Sequence, residues 1–419
     1  MNYLLFTIYL FALSWLLLKI PFLKNSGIGN KTLIGLFLVK VAAGIAVGWI
    51  SVHYYGSAND YWDFNRESWN EYQLLLHDPR AYLTNLFTSG YERGYGGVFS
   101  SHDSYWNDLR GNVVIKLLSL FNILSRGDYY INSLFFNFLV FFGHVLLYRL
   151  FIQLYPGKKW ETVIGCFLLP SLLYFSSGVH KDGIVFLMLA VMLYSIYQSL
   201  QKNRFTGRRI LYGLFGLGML FLVRSYTCLV FIPAALAWVI AVRSKWNPYL
   251  VFLSVFLLAA ILVVAVPTLT KGKLNPLEVV VQKQADYKHL GNAETRIPVH
   301  DLEPSLASFA LNAPQALEHA AFRPYLWDLP TTSMLPFAVE LLFYELLVLI
   351  FLFFRRKDSP GLAHPFILFS LFFCLGILLL IGFIVPYLGA IVRYRSLYFP
   401  FLITPVLCSL DWQRLKILR

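Results

Sequence analysis

Charge is what this sequence has least of. Asp, Glu, Lys and Arg make up 14% of its 419 residues, where a soluble globular domain carries roughly 25%. That shortage excludes an ordinary water-soluble surface. Cysteine is scarce as well: Cys166, Cys228, Cys374 and Cys408 fall in or beside apolar runs, without metal-ligand spacing. They imply neither a disulfide framework nor a zinc site. No internal repeat, low-complexity segment or soluble domain is visible. The start, Met-Asn-Tyr-Leu-Leu, lacks a basic n-region and no small-residue cleavage site follows. Residues 3–20 are therefore expected to be a retained span rather than a signal peptide.

What is present is apolar. Hydrophobic residues make up 58% of the chain, and mean hydropathy is +0.61. Runs near 20 residues recur at 3–20, 33–54, 131–154, 160–178, 183–201, 209–223, 226–243, 249–267, 334–354, 364–384 and 395–410. The expected fold is all-α, a polytopic transmembrane helical bundle of about 11 spans forming a single integral membrane domain over 1–419. The shortest run, 209–223, lies under the usual minimum of about 17 residues. Snorkelling by Arg208, Arg209 and Arg224 lengthens it.

The net charge of +13 reads as topology. The loops at 19–31, 149–161, 202–209, 243–245, 355–358 and 411–419 carry 18 basic residues against three acidic ones. The opposite set has 16 basic and 17 acidic residues. Positive charge collects on the cytoplasmic side, so the N-terminus is expected outside and the C-terminus inside. No nucleic-acid partner is implied.

Two long extracytoplasmic loops follow, 55–130 and 268–333. In the first, Val113, Leu117, Leu120, Phe121 and Leu124 follow helical spacing, opposite Asn112, Lys116, Ser119 and Asn122. That pattern suits an amphipathic helix in the membrane interface. A second short helix is expected over 63–77, and the glycine-rich tract 90–98 as a loop. Phe322–Trp327 reads as an interfacial anchor.

Five polar constellations share the outer face in this topology. Asp60 and Asp63 could serve as a general base toward a hydroxyl or hold a divalent cation, Mg or Mn. Asp63 is also a natural helix cap. The turn Gly178-Val179-His180-Lys181-Asp182 precedes a helix that Asp182 would cap; His180 and Lys181 beside that N-terminus suit a phosphate. Equally, it reads as an ordinary capped turn. Arg224, between two spans, could meet phosphate or mark the interface. Arg393 and Arg395 flank Tyr394 before the last span, about 200° apart on a helix, so one of them is expected toward a ligand. Glu340 lies near the outer end of its span and could join the site. The deeper Glu345 is expected to pair with Lys40, and His144 to be a packing residue.

With these features in place, the chain resembles the GT-C superfamily of polytopic glycosyltransferases. The resemblance rests on Asn59-Asp60-Tyr61 opening a long first outer loop, amphipathic helices within it, Ser176-Ser177-Gly178 before Lys181-Asp182, and Arg393-Tyr394-Arg395. Its loop follows the second span, whereas the family's follows the first; an added N-terminal span accounts for this. The layout is also similar to O-antigen and exopolysaccharide polymerases.

The resemblance implies a glycosyltransferase moving a sugar from a polyprenyl-(di)phosphate donor to a glycan, lipid or protein acceptor at the periplasmic or outer face of the plasma membrane. Asp60 would deprotonate the acceptor in an inverting transfer, while His180, Lys181, Arg224 and Arg393 or Arg395 would hold the lipid phosphate. A lipid-linked glycan transporter or flippase is the reading from another class. The absence of a repeat and the crowding of polar residues toward one face weigh against it.

Overall fold

The computed structural model describes residues 2–56, 59–85, 105–272, 274–290 and 294–417. The expected loop at 90–98 lies outside them. Among the described residues all regular structure is helical. The chain runs through α1 (Tyr3–Lys19), α2 (Pro21–Lys24), α3 (Asn30–Tyr55), α4 (Asp60–His77), α5 (Pro79–Thr84), α6 (Tyr105–Ser125) and α7 (Tyr129–Leu154). It continues through α8 (Lys159–Val163), α9 (Pro170–Ser177), α10 (Lys181–Gln201), α11 (Gly207–Arg243), α12 (Pro248–Leu269), α13 (Pro276–His289) and α14 (Leu306–Phe322). The last are α15 (Leu335–Phe353), α16 (Pro365–Ile384), α17 (Leu388–Ser396), α18 (Phe399–Ser409) and α19 (Trp412–Ile417).

Seven helices among the described residues are long and apolar enough to cross a membrane. The other runs expected from sequence are shorter, kinked or broken helices. Tyr3–Lys19 is a shorter apolar helix. The runs 209–223 and 226–243 fall within α11, which kinks at Arg224, where φ is −150° and ψ 71°. The last run divides between α17 and α18.

The run 160–178 is broken. α8 passes into a π-helical turn, Ile164–Leu168, and Leu169 is extended at φ −63°, ψ 121°. Proline disfavours the α conformation in the residue before it, which is Leu169. Pro170 also has no N–H for the carbonyl four residues back, Cys166. His144 Nδ1 makes that bond instead, at 2.6 Å. His144 is thus a hydrogen-bonded packing residue, as expected.

The chain divides into two compact units: Met1–Gln153 with Cys166–Ser225, and Leu154–Gly165 with Tyr226–Arg419. In the first, α4 lies against α6 through a buried polar seam. Asn122 Nδ2 donates to Ser68 Oγ at 3.1 Å and Lys116 pairs with Glu71, while Asn132 Nδ2 of α7 donates to Asn65 Oδ1 at 2.8 Å. The polar stripe of α6 therefore faces α4 rather than water. Leu120, Ile123 and Leu124 are left exposed on the helix, the side an interfacial helix offers to lipid.

In the second unit Phe231 and Trp238 of α11 pack on Phe366, Phe369 and Phe373 of α16. The second long loop folds over the far end of α16, burying Leu302, Ala316 and Phe383 against Val280, Phe309 and Leu379. Gly382 permits this crossing, since a Cβ there would run into the Ala316 backbone.

Candidate functional site

The first unit gathers its chemistry where α4 begins, around the turn between α9 and α10. α3 ends at Gly56, which takes φ 78°, a conformation that suits glycine. Asn59 caps α4: its Oδ1 accepts from Trp62 N at 3.3 Å and its Nδ2 donates to Gly56 O at 2.6 Å. Neither aspartate is the cap. Asp60 is the first residue of α4, and Asp63, one turn in, is salt-bridged to Arg66. Their partners separate them: Asp63 pairs with Arg66 on its own helix, while Asp60 faces His180 of the turn.

Beneath Asp60 lies His180. Its Nε2 is 3.6 Å from Asp60 Oδ2 and its Nδ1 is 3.1 Å from Asp182 Oδ2. The His180 and Asp182 side chains are 1% and 0% exposed, whereas that of Asp60 is 63% exposed. The edges of Tyr61 and Phe64 close on the imidazole, with ring centroids at 5.8 and 5.1 Å. Gly178 admits Tyr61, whose ring a Cβ would strike.

The far side of Asp182 is occupied by Arg224, whose Nη2 donates to Asp182 Oδ1. The sequence points to Asp182 as the cap of α10. Instead His180 is the N-cap, and Asp182, inside the first turn, is the buried counter-ion of Arg224. The non-helical backbone at Arg224 thus coincides with a buried ion pair. Lys181, the first residue of α10, is half-buried beside it.

The proton positions follow from these contacts. Asp182 N lies 3.4 Å from His180 Nδ1, but Nδ1 cannot both accept from that amide and donate to the carboxylate. The shorter contact, to an ionised oxygen, decides for Nδ1–H. Nε2 is then the end that faces Asp60, at 3.6 Å.

The turn is held from below. Lys40, 1% exposed, donates to Ser176 O at 3.2 Å, Ser176 Oγ at 2.9 Å and Ser177 Oγ at 3.2 Å. Three donors meet three acceptors at the C-terminal turn of α9, where a cation is favoured by the helix dipole. Ser176 Oγ also lies 3.4 Å from His144 Nε2. Since His144 Nδ1 donates to Cys166 O, Nε2 accepts the serine proton. Glu345, expected as the partner of Lys40, is replaced by these serines.

The other candidates belong to the second unit. Glu340 is buried and accepts from the Tyr344 hydroxyl. Arg395 is 2% exposed, with Nη1 donating to Ala320 O at 2.9 Å and the guanidinium 5.3 Å from the Phe399 ring. It braces α14. Arg393 is the half-buried member of the pair. Nearby, Glu318 Oε1 accepts from Arg323 Nε and Tyr325 OH, both at 2.8 Å. Burial opposes ionisation of Glu318, but these two bonds hold its carboxyl below its ordinary range. Burial, with the bond to Glu318, pushes the Tyr325 phenol up to about 12.

A metal is not accommodated at the first site. Among the described residues no group of three or more His, Cys, Asp and Glu could hold one. Asp63 is committed to Arg66, and Asp182 to Arg224 and His180. From sequence His180 reads as a phosphate donor, whereas the structure sets it between two carboxylates. Neighbouring residues along the chain cannot show that α4 roofs the turn. No family model, curated protein or solved structure matches the chain.

Proposed function

We propose that this chain is a multi-pass membrane glycosyltransferase that takes a sugar from a polyprenyl-(di)phosphate donor at the extracytoplasmic face. The observation that carries the reading is the exposed Asp60 carboxylate above the buried His180–Asp182–Arg224 array. Asp60 removes the proton of the acceptor hydroxyl, whose oxygen attacks the anomeric carbon. The bond from that carbon to the phosphate oxygen breaks with inversion, and the lipid phosphate leaves with the electron pair. His180 Nε2, left with its lone pair, takes on the proton that Asp60 has removed, while Asp182, anchored by Arg224, keeps the other proton on Nδ1. Lys181 supplies positive charge toward the departing phosphate.

One observation favours a transporter or flippase as a second reading. The apolar run 160–178 is interrupted at Leu169–Pro170, after the π-helical turn Ile164–Leu168, and discontinuous helices line many transport sites. Against it, the buried ionisable groups near the break, Lys40 and His144, are committed to Ser176, Ser177 and Cys166 rather than to a polar path.

The test is Asp60→Asn in cells that make the glycan. Loss of a general base lowers transfer by about 10²–10⁴-fold, so the product should fall and the lipid-linked donor accumulate at unchanged protein level. Undiminished product would remove Asp60 as the base. Accumulation of single lipid-linked repeat units would instead turn the reading to a polymerase, and glycan trapped on the inner leaflet would turn it to a flippase.

A further inference from the structure

The second unit contains a cavity of about 450 Å³ lined by Lys288, Arg296, His300, Asp301, Gln315 and Pro386, among others. Its size falls within the range of small-ligand clefts, ~300–1,000 Å³. Its rim is an extended strap over 295–301 that is tied down at both ends. Ile297 N donates to Pro386 O at 2.8 Å and Leu388 N to Thr295 O at 2.9 Å. Gln284, buried under the strap, donates to His300 O at 3.0 Å and Phe383 O at 2.8 Å, and accepts from Leu302 N at 3.1 Å. His300 N donates to Gln315 Oε1 at 3.1 Å. The wall is therefore set before any ligand arrives.

Its charge is lopsided. Lys288 and Arg296 are cationic, and Asp301 is the only carboxylate among the described lining residues. Asp301 pairs with Lys288, but its side chain is 95% exposed, and ion pairs in that setting contribute little. An incoming anion displaces Asp301 at low cost. Arg296, exposed at the rim, offers a planar fork suited to a carboxylate or phosphate. Another cavity, about 300 Å³, sets Lys158 and Arg356 against Asp358 and Asp411, and has no such excess.

We propose that this cavity binds a saccharide carrying an oxyanion, either a carboxylate or a phosphate. The saccharide part rests on the glycosyltransferase reading; the anion part does not. Arg296 holds the oxyanion, Lys288 exchanges Asp301 for it, and the strap's backbone and Gln315 meet sugar hydroxyls.

Binding to the purified full-length protein in detergent, measured by calorimetry, tests this without turnover, so it succeeds or fails independently of the Asp60 experiment. The probes are a glucuronate-containing tetrasaccharide, glucose 6-phosphate, inorganic phosphate, a neutral tetrasaccharide and glucose. At least one charged saccharide should bind tenfold or more tightly than its neutral counterpart, and the better of the two separates carboxylate from phosphate. Arg296→Gln, and separately Lys288→Gln, should bring charged and neutral forms to within about twofold. Equal binding of charged and neutral saccharides overturns the proposal. So does a preference that survives in both variants, or inorganic phosphate binding as tightly as the charged saccharides.

Discussion

Asp182 and Arg224 show how much a single buried pair carries. Both side chains are nearly sealed from solvent, so each is tolerable only with the other. Breaking a buried ion pair by removing one partner costs about 3–5 kcal/mol. Asp182→Asn alone should lower the thermal unfolding temperature of the purified protein sharply, as should Arg224→Met alone. The double variant should recover much of the loss; additive losses would show that the two charges do not act as a pair. His180 is the residue this pair orients, which is why we propose that His180 serves Asp60 rather than the phosphate.

Elements in this protein are placed by small local choices. Gly382 lets α14 cross α16 at backbone contact. Gly382→Ala should force α14 outward and make the 268–333 segment more sensitive to trypsin; unchanged digestion would show that the crossing has slack. The C-terminal end of α14 is fastened through Glu318, whose folded pKa lies below its ordinary value of 4.5. A lowered carboxylate pKa adds stability that is fully present above the unfolded value and is lost as pH falls through the folded one. Unfolding temperature should therefore drop below pH 4.5, and Glu318→Gln should flatten that acid limb. Arginine, tyrosine and histidine all reach this one carboxylate, which sequence adjacency suggests only for His319.

For the whole molecule, orientation rests on the charge asymmetry between the two sets of loops. An alkaline phosphatase fused near residue 300 should be active, and inactivity there would invert the arrangement. The asymmetry is strong because every charge left in a loop must stay in water, and lysine and arginine are retained on the cytoplasmic side.

Composition and periodicity alone determined that this is a helical membrane protein and where most of its apolar helices lie, and singled out Asp60, Asp63, His180, Lys181, Arg224, Glu340, Arg393 and Arg395 as candidate polar residues. Hydrophobicity is a local property, legible in any window long enough to span a bilayer. Only the tertiary structure decided how those residues are held: that Asn59 caps α4, that His180 lies between Asp60 and Asp182, that Lys40 closes on serines, and that Arg395 is a brace while Arg393 stays half-buried. Each of these depends on which helix face packs against which, and a side chain's partner across tens of residues leaves no mark in its own neighbourhood.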